Sequence, residues 1–551
     1  MDAAWGSWID ESLQQLDERH LTRVLRPLVP TRSAVEADIH EAQLDAWLRG
    51  APARDEPASL AAPPLDAAAA AAAAGGAPSG GGGGGGVRQR RLRRLKLFGL
   101  NDYLGLSAHP DVCSAAANAA LAGGMGPRSS ALVCGWTTEH RALELDIARL
   151  KGTEDCLLFP TGYAANMAVL TVLAAAADAP GGGGGGGGTA TQQGQQQQAG
   201  QQQHGGQQQQ HQGQQQGQGQ VVIFSDELNH ASIIDGARLA CRGAGGGGTG
   251  GARLVVYRHG DLGHLEQLLG SCPAGARKLV VTDGLFSMDG DFADLRGLAR
   301  LRARHGFLLI VDDAHATLTA GEHGGGTAEM QAAPRGCVDV TVGTLSKAAG
   351  ALGGFAACSA ALRRLLLNRG RHVIFSTALP LPVVAAARAA LRVSQRESWR
   401  RRHLWALVRR FSARLGVPAH SPVIPLIIGP EAATMDAARQ LLARGFHVGA
   451  IRPPTVAPGT CRLRVSLSAA HSFADVDALA DALLACRAGA AGGGGGALAF
   501  APLPHLQLPA PWTGAWLARQ DALDAAAAAA AGGAAAGGGG AGHRPAPRSR
   551  L

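Results

Sequence analysis

Four apolar residues, Leu308-Leu309-Ile310-Val311, run straight into Asp312-Asp313-Ala314-His315. Apolarity that is continuous rather than alternating marks a strand covered on both faces, and a buried strand of this kind belongs to a mostly parallel sheet. The same signature recurs at 155–159, 221–224, 254–257, 279–282 and 338–342, with helix-length segments between. The pattern predicts an α/β fold with helices on both faces of the sheet. In such sheets ligands lie beyond the carboxyl ends of the strands, so the polar residues just after each apolar run are the ones to weigh. They are 225–230, which ends in Asn229-His230, then 283–290, 312–315, and Gly343-Thr344-Leu345-Ser346-Lys347.

Lysine is scarce: Lys96, Lys151, Lys278 and Lys347 are four among 51 basic residues. Chemistry that needs an amine nucleophile therefore has four candidates. Lys347 follows a buried strand and is flanked by Gly343, Ser346, Ala348, Ala349 and Gly350, which leaves room for a bulky cofactor. A lysine partly desolvated there has a lowered pKa and suits Schiff-base chemistry. Read alone, it is equally an exposed loop lysine. Asp312, leaving a buried strand, calls for a cation such as a pyridinium nitrogen, or else caps a helix or pairs with an arginine. His315 can donate to a phenolate oxygen and His230 can stack on an aromatic ring; each is also readable as an ordinary satisfied polar residue. Gly162-Tyr163 opens a helix after a strand, where free N–H groups suit a phosphate. Together these five features describe pyridoxal 5′-phosphate.

Outward from this core the composition changes. The first fifty residues read as a helical arm with Trp8, Leu13, Leu16, Leu21 and Leu25 at helical spacing. Residues 51–95 read as a low-complexity linker, 96–385 as the cofactor-binding large domain, 386–487 as a smaller C-terminal α+β domain and 488–551 as a disordered tail. A Gly/Gln insertion at 181–220 interrupts the large domain without touching a motif. A net charge of +9 is not concentrated into a nucleic-acid platform, since the basic run from Arg88 to Lys96 lacks interleaved aromatics. The longest apolar run, 167–177, is shorter than the roughly 20 residues a membrane-spanning helix needs. Nine cysteines stand singly, without CxxC spacing, so no disulfide framework is expected.

The strings Asn101-Asp102-Tyr103-Leu104-Gly105-Leu106, Gly135-Trp136-Thr137-Thr138-Glu139-His140, Asn229-His230-Ala231-Ser232 and Phe286-Ser287-Met288-Asp289-Gly290-Asp291 join those already quoted. So do Phe375-Ser376-Thr377, Ile451-Arg452-Pro453-Pro454-Thr455-Val456 and the segment from Arg464 to His471. In order and number they resemble the α-oxoamine synthases, a branch of the fold-type I pyridoxal-phosphate transferases. The 451–456 string is similar to that of the 8-amino-7-oxononanoate synthase branch. The resemblance spans roughly 100 to 485 and, more weakly, a helix near 8–26. It implies a large domain with a mostly parallel seven-stranded sheet, a smaller C-terminal α+β domain, and a homodimer with shared active sites.

The resemblance further implies that Lys347 carries the cofactor and moves the Cα proton. Asp312 would keep the pyridine nitrogen protonated and His230 would stack on the ring. Ser287 and His315 would face the phenolate side, Thr344 the phosphate, and Gly162 and Tyr163 the turn at the cofactor. Ser376 and Thr377 would reach the phosphate of the neighbouring subunit's cofactor. Arg464, with Asn101 and His230, would serve the amino acid, while Arg26, Arg452 and Thr455 would line the acyl side. The substrates so implied are L-alanine and a pimeloyl thioester, on CoA or a carrier protein; glycine C-acetyltransferase and other α-oxoamine synthases share most of these residues. Trp136 stands where the family usually has a smaller aromatic. The final Ser549-Arg550-Leu551 resembles a peroxisomal address, which makes the peroxisome the expected compartment and the cytosol the second.

Overall fold

The computed structural model describes residues 3–18, 25–49, 92–175, 220–242, 252–491, 500, 518, 519 and 522. Most of the expected linker, the Gly/Gln insertion up to 219, most of the tail and the Ser549-Arg550-Leu551 terminus lie outside them. The chain divides into two compact units, one of 1–108, 288–290 and 397–551, the other of 109–287 and 291–396.

In the first unit the expected continuous helical arm is instead two helices, Ala3–Glu18 and Glu41–Leu48, with strands β1 (Val29–Pro30) and β2 (Glu36–His40) between them. Pro27 and Pro30 lack the N–H groups a helix needs. Ala37 and Ile39 alternate inward along β2, a period of two. Residues 92–95, expected in the linker, begin β3 (Leu92–Leu97), which pairs antiparallel with β2. Lys96 there is bound to Glu36 at 2.6 Å and Asp475 at 3.0 Å.

The second unit holds a seven-stranded sheet built from β4 (Asp155–Phe159), β5 (Val221–Asp226), β6 (Arg253–Tyr257), β7 (Arg277–Asp283), β8 (Leu308–Asp312), β9 (Val340–Thr344) and β10 (Gly354–Cys358). Its order is β4-β10-β9-β8-β7-β5-β6, parallel from β9 through β6, with β10 antiparallel to both its neighbours. Alternate residues of each buried strand feed opposite cores. Val221, Ile223, Leu279, Val281 and Ile310 pack toward helix Gly162–Ala174, while Val222, Phe224, Val280, Leu309 and Val311 pack with Leu265, Leu298 and Leu301 on the other face. Both faces are covered, as the uninterrupted apolar runs require. β10, rich in Gly and Ala, carries too little of that signature to be read from the residues.

The first unit also contains β11 (Val423–Gly429), β12 (Phe446–His447), β13 (Gly449–Ile451) and β14 (Cys461–Ser466). β14 lies between β11 and β13, antiparallel to both, and β12 adds to β3 in parallel. The last long helix runs Phe473–Ala491, a few residues into the expected tail.

Candidate functional site

Of the four lysines, three are committed to structure. Lys151 is buried and hydrogen-bonds Asp313 at 2.6 Å, the Thr317 hydroxyl at 2.8 Å and the Gly325 carbonyl at 2.8 Å. Lys278 donates to the His305 carbonyl, and Lys96 is paired as described. Lys347 stands half-buried in a loop beyond the end of β9, in the electrostatic field of His230 and Asp283.

Asp312 is the last residue of β8. Its Oδ1 accepts the Ala314 N–H at 3.0 Å and its Oδ2 the Asn166 amide at 2.6 Å. The second Asn166 amide hydrogen goes to Ser232 Oγ at 2.9 Å, which in turn lies 2.8 Å from His230 Nδ1. Because Nδ1 also accepts the Ser232 N–H, the His230 proton is assigned to Nε2. Burial pushes this imidazole below its ordinary pKa, with Lys347 adding to the push while Asp312 and Asp235 oppose it. A neutral ring results. The Asn166 amide thus ties Asp312, 146 residues further along the chain, to Ser232, 66 residues along, and through it to His230. The sequence reading assigns no role to Asn166 or Asp283; the signal they offer is a polar residue on a buried helix face and one at a strand end.

Helix Gly162–Ala174 starts behind Thr161, whose hydroxyl accepts the Ala164 N–H at 3.0 Å. The N–H groups of Gly162 and Tyr163 belong to the first turn, where no intrahelical acceptor exists. A side chain at Gly162 would come within 3.2 Å of Thr344 Cβ, so glycine lets the helix start lie this close to the end of β9 without crowding it. Thr344 Oγ1 bonds Ser346 Oγ at 2.7 Å and the Gly353 carbonyl at 3.0 Å. Tyr163 is half-exposed, its hydroxyl donating to Asp235 at 2.6 Å. His315 is buried and Ser287 half-buried on the loops after β8 and β7. Ser376 and Thr377 line a cavity of about 240 Å3 with Trp136, Phe159 and Pro160. Buried Asn166 Oδ1 and Asp283 Oδ1, both near Asp312, meet no hydrogen-bond partner. Orphaned acceptors beside a charged acid, a helix start and a lysine fit a phosphorylated pyridine aldehyde.

In the other unit Arg464, in the middle of β14, is buried and reaches the Asn101 side-chain oxygen at 3.3 Å, Ser466 Oγ at 3.2 Å and the Tyr103 hydroxyl at 3.5 Å. The Asn101 string is folded by Asp102, whose carboxylate takes the Leu106 and Ser107 N–H groups. Gly105 closes that turn at φ +64, with Ala470 against it. Arg462, two residues before Arg464, is spoken for: it binds Asp289 and the Met288 carbonyl. Arg452, just past β13, pairs with Glu431 at 2.7 Å, and the exposed Thr455 donates its N–H to the Arg452 carbonyl. Arg26 lies over the Trp47 ring at 5.0 Å.

No helix among the described residues is long and apolar enough to cross a membrane. Residues 212–483 match the family model for aminotransferase class I and II. The 8-amino-7-oxononanoate synthase of Arabidopsis thaliana is 43% identical over 88% of this chain and 96% of its own length. That of Alkalilimnicola ehrlichii is 40% identical over 71% of this chain and 88% of its own. Among solved structures, SPT with its PLP internal aldimine matches with a TM-score of 0.60 at 27% identity, covering 71% of this chain and 87% of that one. The chain belongs to the 8-amino-7-oxononanoate synthase family of fold-type I, PLP-dependent acyltransferases.

Proposed function

We propose that this protein condenses L-alanine with a pimeloyl thioester to give 8-amino-7-oxononanoate, CO2 and the free thiol, a step of biotin biosynthesis. The observation that carries the reading is the convergence of Lys347, His230 and Asp312 at neighbouring strand ends in a chain so similar to these synthases along its length. Pyridoxal 5′-phosphate, when bound, supplies an electron sink for the negative charge left at the alanine Cα. Asp312, both of whose oxygens accept N–H donors, would hold the pyridine nitrogen protonated. The neutral His230 ring would stack on the cofactor, and Ser287 and His315 would serve its phenolate side. The Gly162 and Tyr163 N–H groups and Thr344 hold phosphate. Lys347 Nζ would hold the cofactor and, as a free amine, would take the Cα proton of alanine and later return one. Arg464, already oriented by Asn101, grips the alanine carboxylate with a fork that matches it. Arg26, Arg452 and Thr455 serve the acyl chain, whose far carboxylate an arginine suits.

Turnover of L-alanine with a pimeloyl thioester, set against glycine with acetyl-CoA, tests the assignment: a strong preference for the first pair is expected, and equal rates would make the protein a glycine C-acetyltransferase. The working form we propose is a homodimer in which Ser376 and Thr377 serve the neighbour's phosphate. Support comes from the exposed apolar side chains that accompany them, Leu132, Val133 and Phe375 among others. Mixed dimers of Lys347→Ala with a Ser376→Ala, Thr377→Ala double variant should regain activity; an active monomer refutes the arrangement. The peroxisome is the proposed compartment, on the strength of Ser549-Arg550-Leu551 alone. A fluorescent protein fused ahead of residues 540–551 should collect in peroxisomes and turn cytosolic when Leu551 is deleted.

A further inference from the structure

Asp283 ends β7 as Asp312 ends β8, and the two are register partners in a parallel pair. Register partners project to the same face of a sheet, so two carboxyl groups stand side by side where the strands stop. Both are buried, Asp283 to 3% exposure and Asp312 to 7%. Their hydrogen bonding differs. Both oxygens of Asp312 accept N–H donors. The main-chain N–H of His230 favours the charged form of Asp283, but its Oδ1 is buried with no hydrogen-bond partner. Its own N–H is fixed by Asn229 Oδ1 at 2.8 Å, and Asn229 is held in turn by Ser225 and the Val281 carbonyl, so the residue has little freedom to turn away.

A buried carboxylate without donors is costly, and two of them side by side cannot both ionise. The charged groups around Asp283 are Asp312, Lys347 and Asp226, with the Tyr257 hydroxyl also in its field. Asp226 is neutralised by His259 at 2.9 Å. Lys347 is the only positive neighbour among them, and Asp312 has the donors to hold a negative charge opposite it. Burial first, and then the negative charge of Asp312, push the Asp283 acid well above its ordinary range, with Lys347 opposing.

We propose that Asp283 is a positioning residue that stays un-ionised beside Asp312: its proton sits on the orphaned Oδ1, its other oxygen holds the main chain of His230, and the single negative charge of the pair is left on Asp312 to face the cofactor nitrogen. No bond is made or broken by Asp283, and it is not a proton carrier in turnover. The inference rests on the cofactor role of Asp312, which is read separately from Asp312→Asn: that variant should weaken cofactor binding at least tenfold, and if it does not, the cofactor reading itself falls.

The test of Asp283 is Asp283→Asn, which keeps the shape and presents a neutral donor where the proton is placed. In the full-length protein loaded with pyridoxal phosphate, cofactor affinity should stay within about threefold of the parent, and the midpoint of the pH titration of the cofactor's visible band should not move. The thermal midpoint should rise relative to the parent, by more as pH increases between about pH 5 and pH 8, because an aspartate kept protonated on folding is penalised increasingly as pH climbs while asparagine is not. A tenfold loss of affinity, a shift of the visible-band midpoint by a unit, or a stability difference that does not grow with pH would each overturn the proposal. Should the variant not fold, the infrared spectrum of the unaltered protein at neutral pH decides. It should contain the carbonyl stretch of an un-ionised carboxylic acid that moves when aspartate alone is isotopically labelled, and its absence overturns the assignment.

Discussion

The seven-stranded sheet and β14 of the other unit solve the placing of charge in opposite ways. In the sheet, polar groups follow the apolar run: Asp226, Asp283, Asp312 and Thr344 are the last residues of β5, β7, β8 and β9. On β14 they lie inside it, with Arg462 and Arg464 alternating with Leu463 and Val465, and all six residues of the strand are buried. Parallel strands flanked by helices have no free face, so function collects at one edge. An antiparallel strand has two distinct faces, and a polar face can be used along its length. The cost appears in the partners. Asp283 and Asp312 at the strand ends are met by main-chain N–H groups and Asn166, and Asp226 by His259 as well, whereas each arginine of β14 is given its own side-chain clamp, Asp289 for Arg462 and Asn101 for Arg464.

This contrast is broken most directly at Lys347. Lys347→Ala should lower kcat by about 10^4-fold or more, since both the attachment point and the base are lost. Borohydride should then fix no cofactor to the chain. Trapping on Lys278 or Lys96 instead would show that the strand ends are not where the chemistry lies. The second buried lysine sharpens the point from the other side. Lys151→Met should leave Asp313 buried and uncompensated and cost about 3–5 kcal/mol of stability in a denaturant melt, because Lys151 braces the loop after β8 and takes no part in the chemistry. A folded, unchanged protein would contradict that assignment.

On β14 the two arginines should separate. Arg464→Gln is expected to raise the KM for L-alanine about 100-fold, or about 3 kcal/mol of lost charged hydrogen bonding, with the thermal midpoint little altered. Arg462→Gln should do the reverse, lowering stability through the stranded Asp289. If both variants change KM alike, the division between a binding arginine and a structural one is wrong.

The smallest effect concerns two histidines with opposite protonation. His259 is clasped by Asp226 at 2.9 Å and Asp291 at 2.8 Å, which lift it to about 10 against the desolvation that lowers it. Its stabilisation is complete below its unfolded value near 6.5 and is lost as pH rises from there toward 10. His471 accepts the Ser468 N–H on Nδ1, donates to the Leu97 carbonyl and stacks on Phe98, and burial lowers it to about 4. Because the unfolded chain binds that proton more readily, stability should fall by about 2 kcal/mol between pH 7 and pH 5. His471→Gln should flatten the acid limb only, and His259→Gln the alkaline limb only. Any crossing of these two effects would undo the pairing of each histidine with its neighbours.

The same contrast explains what could be read beforehand. Strand ends advertise themselves, because Leu308 to Val311 is unmistakable and Asp312 must follow it; the placing of Lys347, His230 and Asp312 at or beyond strand ends was legible for that reason. Arg464 needed family resemblance, since an arginine in an alternating strand looks like any solvent-facing one. β10 was missed because glycine and alanine give it no apolar weight, and the strands near 29 and 36 because the leucines around them suggest a helix. Asn166 and Asp283 act through groups that chain folding brings from far away, and local pattern has no hold on such contacts.

β9 and β10 form a hairpin whose loop carries Lys347, and the loop is stapled at its neck: the Leu345 N–H bonds the Gly353 carbonyl at 2.9 Å, the Ala351 N–H the Leu345 carbonyl at 2.9 Å, and Thr344 faces Gly354 in register. The lysine is therefore a leash with a fixed post. Its amine can swing by the length of its own side chain but cannot wander off, and as a base it would act at a high local concentration. A dissolved amine offered to Lys347→Ala has no such tether, and to match the parent it would have to make up an effective molarity that well-oriented intramolecular groups reach at about 10^5 M.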